Sequence, residues 1–278
     1  MTLDLERVRR TVREALDEDV GSGDVTSEAT VPDSARGRAV LVAKQELVVA
    51  GLDAAREAFR ALDPQVAWEP EAGEGERFFP GTVLATVRGR ARALLTAERV
   101  ALNFLQRLSG VATVTRRFVD AVEGTAARIR DTRKTTPLLR YLEKHAVEVG
   151  GAVPHRERLD TGVLVKDNHI RLAGSVRQAT LRALAGASGL PVEVEVETLE
   201  QLEEAIQAGA GMVLVDNFTP EQVRAAVAQA RGRVPIEASG GIRLDNVRAY
   251  AEAGPDYIAI GALTHSAPAV DISMEIET

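Results

Sequence analysis

A two-part α/β architecture follows from three features of this 278-residue chain. Strand-like and helix-like stretches are grouped irregularly in its first part, as in a small α+β domain. From Ala127 onward they alternate regularly, and each helical stretch is long enough to carry the chain from one parallel strand to the next. Right-handed crossovers of that kind build a barrel or a doubly wound sheet. No G-x-G-x-x-G follows the first strand of the alternating run, which weakens the dinucleotide-binding version of that sheet.

Taken in order, the opening LDLERVRRTVREAL places Val8, Val12, Ala15 and Leu16 on one helical face, and the helix stops at the glycine-rich GSGDVTS. RGRAVLVAKQELVVAG (36–51) reads as β-structure and LDAAREAFRAL as a helix. The turn-rich EPEAGEGERFFPG leads into another strand, TVLATVRG. ALLTAERVALNFLQRLSGVATVTRRFVDAV is helical and is expected to break into two helices near Ser109–Gly110. That break sets the expected boundary: residues 1–109 form the first domain, 110–265 the second, and 266–278 a tail that packs back on the first. Beyond it, ARIRD, VLVKDN, PVEVEV, GMVLVDN, PIEAS and DYIAIG read as six strands. PLLRYLEKHAVEVGG, SVRQATLRALAG, LEQLEEAIQAG, PEQVRAAVAQA and LDNVRAYAEAG are the helices between them, several opening on Thr, Ser or Pro and three ending at glycine.

Composition narrows the functional classes. Apolar residues make up 45% of the chain and charged ones 27%, as in a folded globular protein. No apolar run approaches the roughly 20 residues of a membrane span, and the N-terminus lacks a signal-peptide core. The absence of cysteine excludes disulfides and thiolate chemistry, and suits the cytoplasm. A net charge of −7 argues against nucleic acid as a partner. Any anion must therefore be met by a local cluster.

Such clusters stand at the strand ends, where parallel α/β barrels gather their functional groups. The first strand runs into DTRKTTP, which packs one acid, two bases and three hydroxyls into seven residues. The second ends in Lys166-Asp167-Asn168-His169, and the third carries Glu193, Glu195 and Glu197 at a spacing of two, hence on one face. The fourth ends at Asp216-Asn217, the fifth at ASGGI and the sixth at IGALTHS. An Arg-Lys pair in a loop is ordinarily solvated surface, and alternating glutamates are ordinarily an exposed strand face or an ion network. In a barrel interior, though, those glutamates need cations, and Lys166 and Arg133 are the candidates. Glycine loops after the last two strands let backbone N–H groups reach a phosphate, helped by a helix expected to begin near Arg243–Leu244. Arg133, Lys134, His155, Arg156 and Lys166 together suit a ligand with more than one carboxylate. Glu195 and Asp216 suit Mg²⁺, which takes one or two carboxylates beside substrate oxygens and water.

At these residues the sequence resembles the quinolinate phosphoribosyltransferase family. The likeness runs in order through GDVTS, LLTAERVALNFLQRLSGVAT, DTRKTTP, HR, VLVKDNHI, EVEV, LVDNF, EASGGI and DYIAIGALTHS, covering nearly the whole chain. The resemblance implies an open α/β sandwich domain followed by an incomplete, seven-stranded α/β barrel. It implies that phosphoribosyl pyrophosphate and quinolinate, a pyridine dicarboxylate, react to nicotinate mononucleotide, pyrophosphate and CO₂. Thr132, Arg133, His155, Arg156 and Lys166 would bind the dicarboxylate, and Lys134 would help place both substrates. Glu195 and Asp216 would serve the ribose and Mg²⁺, with Lys134 offsetting leaving-group charge. Ser239, Gly240, Gly241, Gly261 and Ala262 would hold the 5′-phosphate. Arg99, otherwise a surface arginine of a helix, would reach the neighbouring site of a homodimer, with higher assembly left open.

Four positions depart from the family pattern: Leu138, Pro154, Arg158 and Val215. None removes a charged ligand group. Rival readings are a relative of the same fold acting on another pyridine carboxylate or serving molybdate transport, a Schiff-base aldolase using Lys166, and a non-catalytic phosphate- or nucleotide-binding barrel. Crowded arginines and paired acids fit the aldolase less well.

Overall fold

A computed structural model describes residues 3–277. In chain order the first elements are α1 (Leu5–Val20), α2 (Val25–Thr30), β1 (Arg36–Ala43), β2 (Leu47–Val48), α3 (Leu52–Leu62), β3 (Ala67–Pro70), β4 (Arg77–Phe78) and β5 (Val83–Arg90). They are followed by α4 (Ala91–Ala121), β6 (Arg128–Arg130), α5 (Arg140–Val149), β7 (Val163–Val165), α6 (Asp167–Ala173), α7 (Val176–Gly186) and β8 (Val192–Val196). The last are α8 (Leu199–Gln207), β9 (Met212–Asp216), α9 (Pro220–Ala230), β10 (Ile236–Ser239), α10 (Val247–Glu252), β11 (Tyr257–Ala259), α11 (Ala262–His265) and β12 (Ile272–Glu277). Among the described residues, no helix is long and apolar enough to cross a membrane.

Two compact units divide the chain. One takes the residues up to Arg116, Thr136–Gly151 and the chain from Ser266; the other takes Arg117–Thr135 and Ala152–His265. In the first unit, an antiparallel sheet runs in the order β12-β1-β5-β3, so the C-terminal segment pairs with β1 from Arg38↔Glu277 to Ala43↔Ile272. Asp4 caps α1 by accepting from Glu6 and Arg7 N–H, and Val8, Val12 and Leu16 are buried as their spacing predicts. The stretch GSGDVTS holds a short helix that its composition hides. Gly21 ends α1 at a φ of 56°, and three residues later Asp24 caps α2 through Ser27 N–H.

The expected break at Ser109–Gly110 is absent, because α4 runs unbroken through it. These small residues are there for packing. Ser109 Oγ exchanges hydrogen bonds with Ala50 N–H and C=O, and Thr113 Oγ1 accepts from Val48 N–H. A Cβ at Gly110 would stand 2.1 Å from Pro268 O. The glycine is a close-approach point, which costs the helix less than a collision would.

The second unit is built on a parallel sheet in the order β6-β11-β10-β9-β8-β7. From β7 to β11 each strand lies beside its predecessor with no reversal of order, so the sheet lacks the switch point of a doubly wound fold. Six strands stand where six were read. A parallel bridge from Arg130 of β6 to Val153 adds one further residue pair to the sheet. The valines of β8 and β9 fill its core: Val194, Val196, Val213 and Val215 are at most 1% exposed.

Candidate active site

Each candidate side chain owes its place to a local fastening. After β6, Asp131 is fully buried and its Oδ1 accepts the backbone N–H of His155 at 2.7 Å. Thr132 Oγ1 accepts from Lys134 N–H at 3.0 Å, folding the basic loop on itself. Thr264, also fully buried, donates its hydroxyl to Lys134 O at 2.8 Å. Thr136 N–H and Oγ1 both bond to Glu143, whose buried carboxylate also holds Arg107. Pro137 does not open a helix as its chemistry suggests; a turn intervenes, with Leu138 at a φ of 64°, and α5 starts at Arg140.

Lys166 directly follows β7 and is the N-cap residue of α6, its N–H donating to His169 Nδ1. Its Nζ donates to Glu195 Oε2 at 2.7 Å, the pairing expected from sequence. Glu193 is paired differently: it bonds His155 Nε2 at 2.9 Å. Glu197 lies beyond the end of β8 and is exposed, so the three glutamates do not share one strand face. Asp216 Oδ2 accepts from Asn217 Nδ2, and Asn217 N–H donates to Ser239 O. Gly240 is packed so closely against Asn217 that a Cβ would stand 2.3 Å from Asn217 Oδ1, which only glycine allows. The helix expected at Arg243–Leu244 begins later, at Val247, after a turn closed by Asn246 Oδ1 on Arg243 N–H.

Thr132, Arg133, Lys134, His155, Arg156, Lys166, Glu195, Asp216 and Ser239 line one cavity of about 350 Å³. Gly240, Gly241, Gly261 and Ala262 are not among its lining residues; Gly261 lies at the basic loop, where its added Cβ would meet Lys134 Cδ at 3.2 Å. Arg99 is exposed on α4 and does not line the cavity either. Residues two apart on a strand share a face, so a deeper row lies beneath Lys166, Glu195, Asp216 and Ser239. It consists of Leu164, Glu193, Leu214 and Glu237. Leu164, Leu214, Glu237 and Ala259 reach the cavity and give it a partly apolar floor.

Sequence reasoning missed the ionic part of that row. Glu237, which looks like the start of a glycine loop, is fully buried and accepts from Arg130 Nη1 at 2.5 Å. The Arg130 guanidinium lies 4.4 Å from the Tyr257 ring centre. Burial, reinforced by Glu193, pushes the Glu237 carboxyl up to about 7 against the pull of Arg130 and His155. Burial first, and Arg133 second, hold the Arg156 guanidinium below its usual range. Arg156 Nη1 donates to Gly162 O at 2.7 Å, which closes the loop after His155.

This chemistry matches a known family over both parts of the chain. The model of the quinolinate phosphoribosyl transferase N-terminal domain matches residues 24–109, and that of its C-terminal domain matches residues 111–275. The chain belongs to the quinolinate phosphoribosyl transferase family. A nicotinate-nucleotide pyrophosphorylase [carboxylating] of Mycobacterium leprae is 44% identical over 98% of both chains. A probable enzyme of that name from Bacillus subtilis is 44% identical over 93% of this chain and 90% of its own. The solved structure of the nicotinate-nucleotide pyrophosphorylase from Francisella tularensis superposes with a TM-score of 0.95 at 37% identity, covering 99% of this chain and 98% of that one. Within the family frame, the departures have local accommodations. Pro154 precedes a His155 whose backbone and ring are both tied down, and Arg158 is paired to Asp160 with Thr161 Oγ1 closing the turn. Val215 is fully buried in β9.

Proposed function

We propose that this enzyme transfers the phosphoribosyl group of phosphoribosyl pyrophosphate to quinolinate and releases CO₂, giving nicotinate mononucleotide for NAD biosynthesis. The observation that carries it is one cavity lined by Arg133, Lys134, Arg156 and Lys166 facing Glu195 and Asp216. Two polyanionic substrates require that much local positive charge in an acidic chain. Arg133, Arg156 and Lys166, with Thr132, would hold the ring carboxylates while Leu164, Leu214 and Ala259 accept the ring. His155 contributes chiefly by position, since Nδ1 accepts from Arg156 N–H and Nε2 faces Glu193.

The pyridine nitrogen attacks the anomeric carbon as pyrophosphate leaves through an oxocarbenium-like state. Lys134 offsets charge on the leaving group, and Glu195 and Asp216 favour the cationic ribosyl centre. The new positive ring nitrogen stabilises the electron pair left when the adjacent carboxylate departs as CO₂, and a proton from solvent then closes the C–H bond of nicotinate mononucleotide. Ser239, Gly240, Gly241, Gly261 and Ala262 would take the 5′-phosphate; the positive φ of Gly240 and Gly241 and the open space at Gly241 support this. Glu195 and Asp216 fit Mg²⁺ held mainly by substrate oxygens and water, because no third ligand-type side chain gathers with them among the described residues. When bound, that ion would neutralise pyrophosphate charge.

We read the Val153 bridge as the rudiment of a seventh stave in an incomplete barrel, and the enzyme as a homodimer in which Arg99 serves the neighbouring cavity. The exposure of Arg99 and its absence from the lining of its own chain's cavity support that reading. A cysteine-free sequence supports a cytoplasmic location. The deciding assay follows CO₂ and nicotinate mononucleotide from quinolinate, phosphoribosyl pyrophosphate and Mg²⁺. Product from all three, and none without quinolinate, is expected; a failure to form either product would overturn the activity.

A further inference from the structure

The loops that follow β6 and β11 lie side by side, because those strands are paired neighbours with Ala259 opposite Arg130 and Ile260 N–H bonded to Arg130 O. The first is the basic loop and the second opens α11. Both backbone groups of Lys134 are fastened there. Its N–H donates to Thr132 Oγ1 at 3.0 Å, and its C=O accepts from Thr264 Oγ1 at 2.8 Å across 130 residues of sequence. Its stem lies against Gly261, where a Cβ would stand 3.2 Å from Lys134 Cδ and 3.1 Å from the His265 ring. Gly261 has no positive φ, so what glycine supplies at this position is the room for that stem.

Thr264 is fully buried, and a threonine in a helix ordinarily returns its hydroxyl to a carbonyl three or four residues earlier. Here that carbonyl, Gly261 O, already accepts the N–H groups of Thr264 and His265 at 3.2 Å each. The hydroxyl stands 3.2 Å from it, against 2.8 Å from Lys134 O. The shorter bond leaves the helix for the basic loop. What it secures is a lysine without an acid to hold it. Lys166 is placed by Glu195 at 2.7 Å, whereas among the described residues no carboxylate pairs with the Lys134 ammonium. An acid partner would hold that ammonium but would also cancel the charge a departing anion needs. Held through its backbone and stem instead, Lys134 brings an uncompensated charge to the cavity it lines.

We propose that Thr264 is a positioning residue for the transfer step. Through the Lys134 carbonyl it holds the ammonium where charge develops on the departing pyrophosphate, and Gly261 leaves the room in which the lysine stem lies. The inference rests on the phosphoribosyl transfer proposed above and gives the turn after β11 a task in that step besides the 5′-phosphate. Charge on the leaving oxygen grows as its bond to the anomeric carbon breaks. A misplaced ammonium therefore costs the transition state more than the bound substrates, and the loss falls on the transfer rate rather than on KM.

Single-turnover kinetics with both substrates saturating, together with KM for each, test this on the full chain. Thr264→Val keeps the side chain's shape and removes the donor, while Thr264→Ser keeps the donor. In Thr264→Val the transfer rate should fall about tenfold, with both KM values within about threefold of native. Thr264→Ser should stay within about twofold of the native rate. Lys134→Ala should itself be slower by at least about a hundredfold, and adding Thr264→Val to it should change the rate by less than about twofold, because the threonine acts only through the lysine. A native rate in Thr264→Val, a serine variant as slow as the valine one, or a full further loss in the Lys134→Ala background would each overturn the proposal. If Thr264→Val does not fold, Gly261→Ala decides. Its added Cβ crowds Lys134 Cδ, so the transfer rate should fall; a change confined to KM for phosphoribosyl pyrophosphate would leave Gly261 to the phosphate alone and overturn the proposal. If the native chain forms no nicotinate mononucleotide, the reaction and this inference fall together. Product formed at the native rate by Thr264→Val overturns the inference alone.

Discussion

Lys166 and Arg133 are the side chains on which the dicarboxylate reading depends most directly. Lys166 is about half exposed and bonds Glu195 at 2.7 Å, so its ammonium is presented to the cavity rather than buried in the core. Replacing it with alanine removes a charge-assisted contact worth roughly 2–3 kcal/mol, or about a hundredfold in kcat/KM for quinolinate. Arg133→Ala is expected to act similarly, and both variants should melt within a few degrees of the native chain, since neither side chain supports the core. Turnover near the native value in either would remove them from the site. These residues could be read in the sequence because a strand end fixes where a side chain points. Their supports could not: Glu237 meets Arg130 across 107 residues and His155 meets Glu193 across 38. No local pattern signals a pairing of that range. The buried Asp131 illustrates the same limit, for it sits inside the most legible motif and holds the backbone of a different loop.

At the scale of elements, glycine was the residue most easily misread, because one residue type serves both turns and close packing. Gly110 sits in the middle of α4 with Pro268 O where its Cβ would be. Gly110→Ala gains helix propensity of about 1 kcal/mol but must push the C-terminal segment away, and such overpacking costs roughly 1–3 kcal/mol or more. A net fall in melting temperature is expected; a rise would show that Pro268 yields freely. Glu74 tests a different element. Its carboxylate accepts from Gly51 and Leu52 N–H at the start of α3, an arrangement that favours ionisation, yet burial outweighs it and lifts the group to about 7. His145, 4.0 Å away, is itself held below its usual range, chiefly by its own burial. Between the ordinary carboxyl value of 4.5 and about 7 the native chain holds a proton that the unfolded chain has released. Stability therefore falls as pH rises through that window, by on the order of 1 kcal/mol, since Glu74 is partly solvent-exposed and its charge is screened. Denaturant melts at pH 5 and pH 8 should show the loss in the native chain and a smaller one in Glu74→Gln; equal losses would exclude Glu74 as the source.

For the molecule as a whole, the alternation of strands and helices made the parallel sheet legible, and the order of its strands follows from right-handed crossovers between neighbours. The Val153 pairing was not legible, since a one-residue bridge has no period to detect. Nor does alternation say how many chains complete a cavity. Arg99 is the case in point: it is exposed on α4, and its own chain's cavity is lined without it. If a second copy supplies it, Arg99→Ala and Lys166→Ala proteins are each inactive for different reasons, and subunit exchange should restore one intact cavity per mixed dimer. The chain with a native Lys166 keeps its own cavity residues and receives the native Arg99 of the other. The second cavity of the pair carries both lesions. With random exchange half of the dimers are mixed and half of their cavities intact, so activity should recover to about a quarter of the native value. Recovery should appear only after dissociation and reassociation, and should be absent when the two proteins are combined under conditions that prevent exchange. Activity that stays at the level of the separate variants after complete exchange would return Arg99 to the status of an ordinary surface arginine.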